Sequence, residues 1–218
     1  MKKDLMKYLG RKGALAENEV KDILKAYNIR TTRYRLVSKI EDLDNIDLKF
    51  PVALKVCSSK ILHKTDVGGV KLGIQDLSEL KEAFKDFRKR FPKEKLLVDQ
   101  MEEKGVEIII GLIQDPTFGL SIMFGIGGIL TELYRDVTFR VVPIKRYDAE
   151  EMVKEIKAGQ LLEGFRNIPA NKDLVVDLIL KVSNLGKELI NYIDQMDLNP
   201  VFVYADDICV VDAKLILK

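Results

Sequence analysis

The sequence predicts two lobes of mixed helix and strand, α/β or α+β in class. Three observations lead there: helix and strand patterns alternate through the first hundred residues, strand patterns crowd the stretch after Asp99, and a β-hairpin closes the chain. No internal repeat or low-complexity linker separates the halves.

The elements follow in order. Val20, Ile23, Leu24 and Tyr27 recur at helical spacing, and Asn28 suits a left-handed stop, so residues 16–28 read as an amphipathic helix. A short strand follows near Thr32 to Val37. Pro51 to Val56 is an apolar run with one charge, Lys55, and Val70 to Ile74 reads as its returning strand. Leu80, Phe84, Phe87 and Phe91 form one stripe of a helix whose other face carries Lys81, Lys85, Arg88 and Lys89. No aromatic or glycine-rich strand accompanies that basic face, which is the pattern of a solvated surface rather than a nucleic-acid patch. Strands are expected at Lys95–Met101, Val106–Ile113, Leu120–Phe124 and Val137–Ile144. Asp148-x-x-Glu151 reads as a capping box opening a helix, and Leu174 to Ile193 as a longer core helix. Pro200–Tyr204 and Asp207–Asp212 are the closing strands.

Composition narrows the function. The chain has 218 residues, with 36 Lys and Arg against 34 Asp and Glu, a net charge of +2. Nothing draws it as a whole to nucleic acid or an anionic membrane, so any polyanion must be met by a local site. Cys57 and Cys209 lack CxxC spacing, which excludes a disulfide framework and a cysteine-rich zinc site and fits a reducing cytoplasm. The longest uncharged stretch, Pro116 to Thr131, has 16 residues with four glycines and a proline, short of the roughly 20 apolar residues of a membrane span. Met1-Lys2-Lys3 leads into charged sequence, so no signal peptide is expected.

The loop Cys57-Ser-Ser-Lys-Ile-Leu-His-Lys-Thr-Asp-Val-Gly-Gly69 is too long for a tight turn between its two strands. Gly68 and Gly69 let backbone N–H groups approach an anion, while Lys55, Lys60 and Lys64 supply charge. The same glycines also suit an ordinary flexible turn, and a strand lysine often reaches to solvent. His63 is the only histidine, so a multi-histidine metal site is excluded. It reads either as a surface loop residue or as a nucleophile whose ring nitrogen accepts a phosphoryl group, with Asp66 placed to orient it.

The closing hairpin offers a register argument. If Ala205-Asp206 is a two-residue loop, Tyr204 faces Asp207 and every cross-strand pair has residue numbers summing to 411. Asn199 then lies opposite Asp212, above the apolar pairs Val201–Val210 and Val203–Ile208. A carboxamide and a carboxylate side by side suit Mg²⁺ completed by phosphate oxygens and water; they equally suit a satisfied polar pair at a sheet end. The segments Phe124-Gly-Ile-Gly-Gly-Ile129 and Glu132-x-x-x-Asp136-x-x-x-Arg140 are dense in glycine and charge, without Rossmann spacing.

Taken together, Ala53-Leu-Lys-Val, Ile61-Leu-His-Lys-Thr-Asp-Val-Gly-Gly-Val-Lys-Leu, Gly105-Val-Glu-Ile-Ile-Ile-Gly, Asp115-Pro-Thr-Phe-Gly, Phe124-Gly-Ile-Gly-Gly-Ile and Asp197-Leu-Asn-Pro-Val resemble the ATP-grasp β subunit of ADP-forming acetate and acyl-CoA ligases. The likeness runs from about Leu15 to Leu217. A weaker similarity to the β subunit of succinyl-CoA synthetase covers the same layout.

The resemblance implies an α+β ATP-grasp fold: a lobe over residues 1–98 with the His63 loop, a lobe over 99–218 with the metal-binding hairpin, and ATP or ADP between them. It implies the reaction acyl-CoA + ADP + phosphate ⇌ carboxylic acid + ATP + CoA. Lys55 would contact the nucleotide phosphates, the loop through Gly68 and Gly69 would cover them, and Gln100, Met101 and Glu102 would form the adenine hinge. Glu107 would meet ribose or adenine-side groups, and Asn199 with Asp212 would hold Mg²⁺. His63 would carry the phosphoryl group, the favoured reading, or only hydrogen-bond phosphate in the cleft, with Glu132 and Arg140 as further catalytic candidates. Lys55 is expected to act on phosphate rather than on stability. No CoA-binding Rossmann domain is present, so a separate CoA-binding α subunit is implied, in an α2β2 assembly. A non-catalytic nucleotide sensor and an ATP-grasp carboxylate–amine ligase are the alternative readings.

Overall fold

The computed structural model describes residues 3–8, 10–61, 63–128, 136–163 and 169–218. They form two compact units: Ala14–Glu19 with Thr32–Glu103, and Met1–Gly13 with Val20–Thr31 and Lys104–Lys218.

In the unit containing Thr32–Glu103, strands β2 (Tyr34–Val37), β3 (Val52–Cys57), β4 (Val70–Ile74) and β5 (Lys95–Gln100) pair antiparallel, in an order that puts β5 between β2 and β3 and β4 at an edge. Strand alternation divides their side chains. Val52, Leu54, Val56, Leu96 and Val98 face a core shared with Leu80, Ala83, Phe84 and Phe87 of the helix Leu77–Arg90. That helix begins where the Asp76 carboxylate accepts the Glu79 N–H at 2.9 Å, an N-cap. Ala53, Lys55 and Asp99 therefore point to the opposite face, away from the helix.

The other unit is built on a larger sheet with strand order β1-β11-β9-β6-β7-β8. Here β1 is Gly13–Ala14, β6 Val106–Asp115, β7 Gly119–Ile126, β8 Val137–Val141, β9 Ile193–Val203 and β11 Ala213–Leu217; β10, Ile208–Val210, pairs with β9. Helix Lys172–Leu189 packs on β6, β7 and β9 with Val175, Val176, Ile179, Val182 and Leu185 buried. Helix Arg146–Glu155 packs beside it. Helix Glu17–Ala26 ends as expected, with Asn28 at φ 55°. Among the described residues no helix is long and apolar enough to cross a membrane.

Three local expectations change. The helix expected to open on Asp148 begins at Arg146, and Asp148 instead accepts the Lys145 N–H at 2.8 Å from the third helical position. The helix expected to run to Ile193 stops at Leu189, because Tyr192 turns the chain by donating its N–H to the Leu189 carbonyl at 2.7 Å. The last strand pair is longer than expected, with β9 starting at Ile193 and β11 continuing the hairpin to Leu217.

Gly105 enters β6 against the hairpin. A Cβ there would stand 2.5 Å from the Val203 carbonyl oxygen and 3.0 Å from the Tyr204 ring. Gly105→Ala is expected to destabilise the chain by about 1–3 kcal/mol, read as a lower denaturation midpoint at unchanged slope.

Candidate functional site

Lys55 lies on the face of its sheet opposite the helix and is only 5% exposed. Its ammonium donates to Glu17 Oε1 at 2.9 Å and to Asp99 Oδ2 at 2.7 Å. Asp99 Oδ1 also accepts the Thr32 hydroxyl at 2.5 Å. Glu17 Oε2 accepts a short hydrogen bond from the Lys64 ammonium. Glu17 is 4% exposed at the first turn of its helix, where the backbone N–H groups favour negative charge. Lys55 is thus a structural cation as well as a candidate phosphate ligand. The expectation that it leaves stability untouched is corrected by its burial between two carboxylates.

Lys64 follows His63 directly, and His63 is exposed. Beyond them the loop closes as a compact turn: Gly68 N–H donates to the Thr65 carbonyl at 2.9 Å, and Gly69 N–H donates to the Lys64 carbonyl at 2.6 Å. Gly68 has φ +61°, a conformation that favours glycine. Arg90, at the end of the helix Leu77–Arg90, donates through Nη2 to the Val67 carbonyl at 3.0 Å and the Gly68 carbonyl at 2.6 Å. The loop is therefore held at Lys64 by Glu17 and at Val67–Gly68 by Arg90.

Gln100 and Met101 end the central strand of the same unit. Gln100 N–H donates to the Arg33 carbonyl at 2.8 Å and Met101 N–H to the Pro51 carbonyl at 3.1 Å, while Gln100 Oε1 accepts the Lys49 N–H at 3.1 Å. Glu102 follows, half-buried, just before the chain leaves this unit at Glu103.

In the larger sheet the hairpin pairs as its loop length demands. Val203–Ile208, Phe202–Cys209, Val201–Val210, Leu198–Ala213 and Asp197–Lys214 are partners, and Asn199 N–H donates to the Asp212 carbonyl at 3.2 Å. Against β6 the same strand bulges: Val201 pairs with Ile108 and Leu198 with Ile110, so Asn199 and Pro200 together oppose Ile109. Asp197, Asn199, Asp212 and Lys214 consequently share the sheet face away from the buried ladder of Leu198, Ile110 and Met196, and the bulge turns Val201 and Val203, expected on the Asn199 face, to the buried side with Leu198. Glu107 lies on that face as well, paired with Phe202, and its backbone carbonyl accepts the Gly127 N–H at 2.7 Å.

Burial pushes the Asp197 carboxyl above its ordinary pKa; Lys214 opposes the rise and Asp212 adds to it. Two neighbouring carboxylates and a carboxamide on one face are hard oxygen donors, with the Lys214 ammonium beside them. Among the described residues no group of three or more His, Cys, Asp or Glu side chains is disposed to hold a metal. The arrangement fits Mg²⁺, which keeps several waters and takes phosphate oxygens beside one or two protein ligands.

The structure does not bring Arg140 to this face. Arg140 pairs with Ile122 across β8 and β7, which turns it to the helix side, where it bonds Glu155 and the Thr138 hydroxyl. Glu132 lies outside the described residues. Two residues without an assigned role in the sequence reading stand beside candidate residues, Asp197 next to Asn199 in the larger sheet and Glu17 next to Lys55 in the other unit. Asp197 was legible from the register that placed Asn199, since it stands two residues away on the same strand and opposite Lys214. Glu17 gave no such signal, because an acidic residue in a first helical turn is ordinary.

Comparison with known proteins matches residues 9–217 to the ATP-grasp domain family. The β subunit of acetate–CoA ligase [ADP-forming] II from Pyrococcus furiosus is 42% identical over 217 residues, covering 94% of this chain and 92% of that one. A crystal structure from Pyrococcus horikoshii superposes with a TM-score of 0.92 at 40% identity, covering 100% of this chain and 99% of its own. The dinucleotide forming acetyl-coenzyme A synthetase 1 of Ca. Korarchaeum cryptofilum, solved with coenzyme A and Mg-AMPPCP and with its phosphohistidine segment pointing towards the nucleotide binding site, superposes at TM-score 0.82 and 42% identity, covering 97% of this chain and 96% of that one. With the strand lysine, the histidine loop and the Asn199–Asp212 hairpin in place, the chain belongs to the ATP-grasp family, among the β subunits of ADP-forming acetate–CoA ligases.

Proposed function

We propose that this chain is the nucleotide-binding subunit of an ADP-forming acyl-CoA synthetase, of the acetyl-CoA type, in which His63 carries a phosphoryl group to ADP. The observation that carries the reading is the exposed histidine on a loop whose next residue, Lys64, is tied through Glu17 to Lys55. Lys55 meets the nucleotide phosphates, Gln100, Met101 and Glu102 line the adenine, and Glu107 meets the ribose side. Gly68 and Gly69 keep the return turn of the loop free of side chains beside the phosphates. Asn199 and Asp212 hold Mg²⁺, which offsets phosphate charge when bound.

In the ATP-forming direction a terminal phosphate oxygen of ADP attacks phosphorus on the phosphorylated His63. The P–O bond forms as the P–N bond breaks, the electron pair returns to the ring nitrogen, and a proton on the ring leaves it as neutral imidazole. The acyl phosphate that loads His63 must come from chemistry on CoA, which a CoA-binding α subunit supplies, in an α2β2 assembly in the cytoplasm. Copurification of that partner, followed by CoA-dependent ATP formation from the pair, tests the reading; ATP made from acetyl-CoA, ADP and phosphate by this chain alone overturns the need for the partner.

Lys55→Met is expected to act twice. It removes one of the two ammonium groups on Glu17 and the one that meets Asp99 Oδ2, in a buried site, at a cost of about 3–5 kcal/mol. It also weakens ADP and ATP at least about tenfold while adenosine binding changes little, because only the phosphates carry the charge that the ammonium meets. Calorimetric titration of the folded variant at low temperature separates the two effects. Equal weakening of all three ligands would reduce Lys55 to a packing role.

A further inference from the structure

Lys55 and Lys64 come from different parts of the chain, one on a strand and one beside His63, yet both ammonium groups converge on one carboxylate. Glu17 accepts from Lys55 at 2.9 Å through Oε1 and from Lys64 through Oε2. The carboxylate is nearly fully buried, so these charge-assisted bonds are little screened by solvent. Its backbone is fixed as well: Ala16 N–H donates to Glu19 Oε2 at 2.9 Å, which anchors the first turn of the helix. A rigid anion therefore sits between the cation that faces nucleotide phosphate and the cation adjoining the phosphoryl-accepting ring.

We propose that Glu17 is a positioning residue for phosphoryl transfer: it parks the His63 loop by holding Lys64, and it competes with nucleotide phosphate for Lys55. The inference rests on the carrier reading of His63. Its two halves have opposite signs. Holding Lys64 keeps the ring near the lysine that orients the phosphates, which favours transfer. A negative charge in contact with Lys55 repels the phosphates that the same ammonium attracts, which weakens nucleotide binding.

The test uses the chain assembled with its copurifying partner. Glu17→Gln keeps the shape and removes the charge. It is expected to slow acid-labile labelling of His63 from γ-labelled ATP by about tenfold or more, while ADP binds several-fold tighter. A merely structural residue does not separate these readouts, so parallel weakening of labelling and ADP binding overturns the inference. So does labelling at the wild-type rate. Lys64→Met supplies the second arm: it is expected to slow labelling to a similar degree, and the double variant to be no slower than the slower single one. Additive losses overturn the link between Glu17 and Lys64. If Glu17→Gln does not fold, normal labelling in Lys64→Met overturns the parking role by itself. Absence of any His63 label in the wild-type assembly removes the carrier reading, and the inference with it; a labelled wild type with an unaffected Glu17→Gln removes the inference alone.

Discussion

Replacing His63 by alanine is expected to abolish both acid-labile, base-stable labelling of this chain from ATP and overall acyl-CoA-dependent ATP synthesis, with nucleotide affinity preserved. The ring is exposed on a loop, outside both hydrophobic cores, so the substitution removes chemistry and little packing. A phosphoramidate suits the role because its phosphoryl group passes to ADP and back without the deep minimum of a phosphoserine. His63→Asn, which keeps polarity and loses the nucleophilic nitrogen, is expected to behave alike. Retained label together with near-normal synthesis in His63→Ala would eliminate the carrier role.

The second large effect is expected at the hairpin. Asp212→Ala, and likewise Asn199→Ala, should lower phosphoryl transfer by at least about a hundredfold, because phosphate charge left uncompensated in a closed site is costly. Stability should change little: the Asp212 Oδ1 accepts the Ala213 N–H at 3.0 Å, a bond worth about 1 kcal/mol net at a half-buried position. Raising the Mg²⁺ concentration should recover part of the activity if the loss lies in cation affinity. Transfer at the wild-type rate in Asp212→Ala at ordinary Mg²⁺ would remove the metal assignment, and unfolding measured in parallel guards against a trivial loss.

The parts of this molecule that were legible in the sequence are those governed by short-range rules. A two-residue hairpin loop sets the parity of every pair that follows, so the Asn199–Asp212 juxtaposition could be reached by arithmetic and the same arithmetic covers Asp197 and Lys214. The stripe of Leu80, Phe84 and Phe87 likewise fixed a helix and its buried face. What was not legible depends on distant partners. Glu17 reaches Lys55 across 38 positions, and nothing local marks it. Arg140 was placed correctly on a strand, yet which face it takes is decided by its pairing with Ile122. Helix ends were misread where apolar spacing continued past the last turn, as at Ile190 and Ile193.

The Arg90 clamp sets a tether length. His63 precedes Val67 by four residues, and an extended chain spans at most about 3.3–3.6 Å per residue, so the backbone at His63 can travel no farther than about 14 Å from Val67 while that clamp holds. The arm on the other side, six residues from Cys57, reaches about 20 Å by the same measure. Once Lys64 leaves Glu17 the shorter arm governs, so delivery to a point beyond that radius from Val67 also requires Arg90 to release the Val67 and Gly68 carbonyls. In the proposed carrier role of His63, a guanidinium distant in sequence thereby limits the radius over which the ring moves.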